Sequence, residues 1–349
     1  MTPWITGVAT ALAFAVLYVW AFRNLPLERW QIIASVPRKK MPDGSWTGLN
    51  LTFYGFFSAT ACVAGIALFL VLLGMIGVPV VGGFVFGAAI VAVGVIFSSL
   101  VNRWTAGNRF GFTVCGGAFV AILAAPFLIL MMQHFGGLLP SSVGMLPVLA
   151  ALVTAYAFGE GLGRLACISF GCCYGRRADR LPGWLEPLFR RWRFVFIGSA
   201  KKAAYEGRAE GLPLVPVQGM TVVLFTLATL VSVAFFVAGA YRTAFMVSLL
   251  TTQLWRVVSE WLRGDERENG RWRSYQVMAV AAATYGVLVG VVVEAGPAVA
   301  VDTLGGIRVL WNPGVLIALQ IVWVAVFLRM GVSAVTGSRV SFFVRADRT

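Results

Sequence analysis

Long apolar runs recur along the chain, broken by shorter polar segments. Nine of them approach the roughly twenty residues that cross a bilayer as a helix: 4–22, 53–74, 81–101, 114–132, 145–162, 214–236, 243–262, 275–295 and 309–328. The pattern predicts an all-α, polytopic integral membrane protein of about nine transmembrane helices. The first run has no basic segment before it and no small-residue cleavage site after it, so it reads as an anchor rather than a signal peptide. The fifth and seventh runs carry Arg164 and Arg256 near their ends. Segment 176–213, rich in Arg, Trp, Pro and Gly, is the one long polar insertion and reads as a small head on one face. Segment 23–50 mixes Leu, Ile and Trp with Arg38, Lys39 and Lys40, which suits either a surface-lying amphipathic stretch or a plain connector.

Composition agrees: 59% of residues are hydrophobic, 12% are charged and the mean hydropathy is +0.84, which excludes a soluble domain. A formal charge of +14 would suit a nucleic-acid binder, but the cations lie between the spans, so no nucleic-acid partner is expected. With nine spans, 26 of the 28 Lys and Arg fall on one face, leaving Arg242 and Arg308 on the other. The positive-inside rule then puts the cation-rich face in the cytoplasm, with the amino terminus outside and the carboxyl terminus inside. Five cysteines in 349 residues make no disulfide framework.

Ionisable groups inside spans are costly and point to function. Glu160 and Arg164 are spaced i, i+4, and Arg256, Glu260 and Arg263 are spaced i, i+4, i+7, so each set shares a helical face. Either the pairs neutralise each other between helices, or the guanidinium groups form an anion site, for which a phospholipid headgroup is the natural ligand in a bilayer. Gly159 and Gly163 have the spacing that lets a second helix approach closely.

Immediately after Arg164 come Cys167, Cys172 and Cys173, in "GRLACISFGCCYGR". These thiols, with Cys115, could form a metal site, a disulfide, a nucleophile or simple packing; packing is the reading for Cys62 and Cys173, while Cys115, Cys167 and Cys172 stay open. The C-x4-C-C spacing is not a usual ligand pattern, and no metal or other cofactor is expected.

Five motifs, in order, resemble those of the prolipoprotein diacylglyceryl transferase family. "LTFYGFF", with Tyr54 and Gly55, resembles its tyrosine–glycine opening. "FTVCGGAFVA" stands where the family has His-Gly-Gly, with Cys115 at the histidine and Gly116 after it. "GRLACISFGCCYGR" resembles the signature G-R-x-G-N-F-x-N-x-E-x-x-G-R, "LVPVQGMTVV" the helix opening H-P-[ST]-Q-L-Y-E, and "LWRVVSEWLRGDE" with the following "YQVMAV" the R-x-x-x-E-x-x-R helix and its later glutamine. The likeness spans about residues 50–296, leaving 1–50 as an extra helix with a basic connector and 297–349 as an extra helix with a basic tail.

The resemblance implies a phospholipid-dependent transferase of the bacterial inner membrane, moving a diacylglyceryl group from phosphatidylglycerol to a lipoprotein cysteine thiol and releasing glycerol phosphate. It gives Arg164 the role of the essential signature arginine and Arg256 that of a second arginine at the phosphate. Tyr54 and Gln218 match positions near the lipid cavity, and Gly163 and Gly175 would frame a phosphate-holding turn. Gly116, Cys167, Cys172, Glu260 and Arg263 stand at motif positions around the substrate; Tyr174, like Glu160, has no motif match and is a candidate only to assist the acceptor. Cysteines stand at three family positions: Cys115 for histidine, Cys167 for asparagine and Cys172 for glutamate. The only histidine, His134, falls on the opposite face. The family carries its signature outside the cytoplasm, whereas the charge pattern puts this one inside. An inner-leaflet transferase with a non-lipoprotein acceptor and a non-enzymatic lipid-binding or transport protein therefore stand as alternatives.

Overall fold

A computed structural model describes residues 3–106, 114–135, 137–264, 274–294, 296, 300–343 and 347. Among the described residues lie nine long helices: α1 (Pro3–Asn24), α2 (Phe53–Met75), α3 (Val80–Ala106), α4 (Val114–His134), α5 (Met145–Phe170), α8 (Val217–Val237), α9 (Tyr241–Leu262), α10 (Ser274–Val292) and α12 (Pro313–Gly331). Short elements fill the connections: α6 (Glu186–Arg191), β3 (Phe194–Val195), α7 (Lys202–Tyr205) and β4 (Pro213–Leu214) in the head, and α11 (Thr303–Arg308) before α12. The protein is an all-α polytopic membrane protein, as its apolar runs predict. Eight of the long helices are long and apolar enough to cross a membrane. The exception is α9, whose 22 residues bury Ser248, Thr252, Gln253, Arg256 and Glu260 while Leu254, Val258 and Trp261 face outward. Its polar stripe lowers its mean hydropathy, yet it packs against α5, α8 and α10 within the bundle.

At the centre stands α5, packed on α2, α8 and α9 and buried on several sides. It reaches α2 through small residues: a Cβ on Gly65 would meet Gly159 Cα at 3.3 Å. At one end of the bundle a continuous apolar core joins Leu72 of α2, Ile76 just after it, Phe86 of α3, Ile129 of α4, Leu146 and Leu149 of α5, and Phe236 of α8. The opposite end, where α2 and α8 begin and α5, α9 and α12 finish, holds the polar residues.

One feature departs from expectation. Segment 23–50 is more than a plain connector: it supplies β1 (Ile32–Lys40) and most of β2 (Trp46–Thr52). The hairpin turns at Gly44 (φ +83°), where Asp43 Oδ1 accepts from Ser45 N at 3.0 Å and Ser45 Oγ at 2.6 Å. The carboxyl-terminal β5 (Val332–Val340) pairs antiparallel with β2, giving the order β1-β2-β5. Buried Asn50 locks the three strands, its Oδ1 accepting from Ser35 Oγ at 2.6 Å and Ser338 Oγ at 2.5 Å. Both terminal additions thus meet in one sheet. α12 lies on α2 with Gly331 against Gly55, and α1 meets α8 through Tyr18 Oη and Thr226 Oγ1 at 2.5 Å.

The head rests on α1 and α5, with Phe194, Phe196 and Leu214 packed among Tyr18, Leu25 and Leu165. Lys201 is fully buried there, donating from Nζ to Leu25 O at 3.0 Å and to Ser169 O at 2.5 Å.

Candidate functional site

The polar end of the bundle encloses a cavity of about 510 Å³, within the size range of small-molecule sites. Six long helices shape it at residues close to their ends: Tyr54 from α2, Cys115 from α4, Arg164 and Cys167 from α5, Gln218 from α8, Arg256 and Glu260 from α9, and Met330 from α12. Arg263, Cys172, Cys173 and Lys202 complete the chemistry of the wall. Among the described residues four cations and two carboxylates therefore line a space inside a membrane-spanning bundle, and this balance favours an anion.

Its charged centre is one carboxylate shared by two arginines. Glu160 Oε1 accepts from Arg164 Nη2 at 2.6 Å, and Glu160 Oε2 accepts from Arg256 Nη2 at 2.8 Å. Tyr156, one turn before Glu160, donates its hydroxyl to Glu160 Oε2 and accepts from Arg256 Nη2 at 2.6 Å. Arg263 Nη1 pairs with Glu260 Oε1 at 2.9 Å. The pairing leaves donors over: Arg164 Nε and Arg256 Nε and Nη1 are buried with no hydrogen-bond partner among the described residues. Cys115 lies within electrostatic range of Arg256 and Tyr156.

The signature segment is partly helix, because α5 runs two turns beyond the predicted end at 162. Arg164 and Cys167 therefore project from a helix. Gly163 sits inside α5, where a Cβ would meet Ala61 only at 3.8 Å, so it does not frame a turn. The turn starts at Gly171, left-handed at φ +76°, whose N–H donates to Cys167 O at 2.8 Å. Beyond it the chain runs extended between the end of α9 and the start of α8: Arg176 N donates to Leu262 O at 2.8 Å, Gly264 N to Tyr174 O at 2.9 Å, and Val215 N to Arg176 O at 2.9 Å. A side chain on Gly175 would collide with Val215 O, so this glycine permits the crossing that seats Arg263 beside the cavity.

The structure brings Tyr54, Cys115, Arg164, Cys167, Cys172, Gln218, Arg256, Glu260 and Arg263 to one cavity. Gly116, Gly163, Tyr174 and Gly175 do not line it; Tyr174 is buried in the core between head and bundle. Gln218 Nε2 donates to Cys172 O at 2.8 Å, tying α8 to the turn, and Tyr54 meets Phe170 edge-on with ring centroids 5.5 Å apart. Residues that the motifs did not indicate are Lys202, Met330, Val332 and Ser333 on the cavity wall, and Tyr156, which does not line the cavity but holds Glu160 and Arg256 by hydrogen bonds. Only Tyr156 had a usable signal, its i, i+4 spacing to Glu160. Tyr156 instead lines a separate, apolar cavity of about 80 Å³ with Ile122, Leu149, Val153 and Tyr285.

The Sγ atoms of Cys167, Cys172 and Cys173 lie within 4.8 Å of one another, with Cys115 outside that group. Thiol hydrogen bonds from Cys167 and Cys172, helped by Arg263 and Arg164, hold the Cys173 thiol well below the ordinary range. No known family's sequence model matches the chain, and no curated protein matches it in sequence.

Proposed function

We propose that the protein is a phospholipid-dependent transferase, with Arg164 and Arg256 binding the phosphate of an anionic phospholipid such as phosphatidylglycerol. The observation that carries the reading is the cavity at the end of a membrane-spanning bundle, lined among the described residues by four cations and two carboxylates. A free phosphate would reach such a site from water, but a phospholipid reaches it from the bilayer that the helices span. The resemblance of the motifs to diacylglyceryl transferases supports the reaction class. The acceptor sulfur attacks the glyceryl carbon, the C–O bond to phosphate breaks, and glycerol phosphate leaves carrying the bonding electrons and taking up the thiol proton. Charge builds on the leaving oxygens, and arginines already oriented by Glu160 stabilise it without reorganising.

The acceptor follows the family default of a protein thiol. The concentration of 26 of 28 cations on the cavity face supports an inner-membrane protein working from the cytoplasmic side. A lipobox cysteine exposed outside the cell is then out of reach, so the acceptor is one presented in the cytoplasm.

The test is release of glycerol phosphate from labelled phosphatidylglycerol by the purified protein in liposomes. Replacing Arg164 with Ala should lower release about a hundredfold or more. Release that is the same for both proteins would sink the mechanism.

A further inference from the structure

The three-cysteine cluster has a geometry that its sequence spacing conceals. Neighbouring cysteines on an extended chain point apart. Here the N–H groups of Gly171 and Cys172 both donate to Cys167 O, at 2.8 and 3.1 Å, so the chain doubles back over the last turn of α5. Cys173 is itself left-handed at φ +54°, a conformation uncommon for a residue with a side chain. The result is three Sγ atoms within 4.8 Å of one another on the wall of the cavity that holds Arg164 and Arg263.

Zinc–sulfur bonds of about 2.3 Å in a tetrahedron put neighbouring sulfurs about 3.8 Å apart, so little movement separates this cluster from a ligand set. A zinc ion with three thiolates carries one net negative charge, which the adjoining guanidinium groups offset. Three protein ligands with one open position is the pattern of a catalytic rather than a structural zinc site.

The cavity also needs something to activate an acceptor thiol. The chain's one histidine, His134, ends α4, about 28 Å of helix away from Cys115. Glu160 is held by Arg164 and Arg256, Glu260 by Arg263, and Lys202 pairs with Glu206 at 3.1 Å.

We propose that Cys167, Cys172 and Cys173 bind zinc and leave its fourth position open for the thiol of the acceptor. The catalytic role, though not the metal site, rests on the transferase reading above. The acceptor thiol loses its proton on coordinating the metal. Its sulfur then forms the new bond to the glyceryl carbon, the C–O bond to phosphate breaks, and the leaving glycerol phosphate takes up a proton. No electron is gained or lost by protein or metal.

The test is elemental analysis of the purified full-length protein, with the Co2+-substituted form followed by absorption. Expected are about one zinc per chain, a sulfur-to-cobalt charge-transfer band, and a change in the cobalt spectrum on adding a small thiol. Cys172→Ser and Cys167→Ser should lose the metal, while Cys62→Ser and Arg164→Ala should keep it; helical circular dichroism of each variant separates loss of metal from loss of fold. Absence of zinc and of cobalt binding, retention of metal by folded Cys172→Ser, or a disulfide within the cluster in freshly prepared protein would each overturn the metal site. A cobalt spectrum indifferent to thiol would overturn its catalytic role. Lipid turnover without metal refutes this inference alone, whereas a metal-loaded protein that binds no phospholipid refutes the transferase reading and leaves the metal site standing.

Discussion

Arg256 on α9 and Glu160 on α5 are joined at 2.8 Å inside the bundle, and Arg164 takes the other oxygen of the same carboxylate at 2.6 Å. One negative charge thus holds two positive ones together at the cavity. Removing it should be costly, because buried Arg256 and half-buried Arg164 would lose their counter-ion; breaking a buried pair typically costs about 3–5 kcal/mol. Glu160→Gln should therefore unfold at a clearly lower temperature in detergent than the wild type. Added phosphatidylglycerol should restore more stability to the variant than to the wild type, since its phosphate replaces the lost charge, whereas diacylglycerol should not. Equal responses to the two lipids would contradict an anion site.

Arg256 works through geometry as well as charge. Its Nη2 meets both the Tyr156 hydroxyl, at 2.6 Å, and Glu160. A lysine keeps the charge but cannot reproduce the planar fork. Arg256→Lys should accordingly lower phospholipid turnover by about a hundredfold, while Arg29→Lys, on an exposed connector, should leave it unchanged. Turnover by Arg256→Lys within a factor of two of wild type would show that charge alone suffices.

Much of this cavity was legible because arginine and glutamate inside apolar runs are conspicuous, and helical spacing of 3.6 residues per turn shows which of them share a face. Arg164, Arg256, Glu260 and Gln218 were found in that way or through the motifs that contain them. The sheet was not. β1 and β2 are joined by the turn sequence "MPDGS", a readable signal, but the strand that completes the sheet starts at Val332, and no local pattern announces a partner so far along the chain. Lys201 was equally silent, since a lysine in a polar head gives no sign that its side-chain nitrogen lies beneath the end of α5. The three thiols were visible, but their convergence depends on the left-handed Cys173.

Two glycines that look alike in sequence should behave differently. Gly55 crosses Gly331 so closely that a Cβ would overlap its backbone, whereas a Cβ on Gly163 would touch Ala61 at an ordinary 3.8 Å. Gly55→Ala must push α12 away from α2 and should cost about 1–3 kcal/mol, with loss of activity because Met330 on α12 lines the cavity. Gly163→Ala should be neutral or slightly stabilising, as alanine favours a helix interior over glycine by about 1 kcal/mol. Paired thermal melts in detergent check the contrast, and a larger loss for Gly163→Ala would contradict the helix crossing described.

Lys201 provides a prediction with a definite sign. Its burial lowers its pKa to about 7, against the opposing pull of Glu28, so the folded protein holds the amine largely neutral above neutral pH. The unfolded chain keeps an ordinary lysine, with a pKa of about 10.4. Between these values the unfolded state binds a proton that the folded state does not, and stability must rise with pH, at up to about 1.4 kcal/mol per unit for this one group. Below about 7 both states are protonated, and the penalty becomes constant. Lys201→Met has no such titration and loses the hydrogen bonds to Leu25 O and Ser169 O. Comparing the two proteins cancels every other titrating group to first order. Wild type should therefore gain stability relative to Lys201→Met as pH is raised from 7 to 10, in thermal or denaturant melts of the same detergent preparation. A difference that stays flat over that range would mean that the amine is charged in the fold, or that the carbonyls of Leu25 and Ser169 and the Glu28 carboxylate compensate its burial in full.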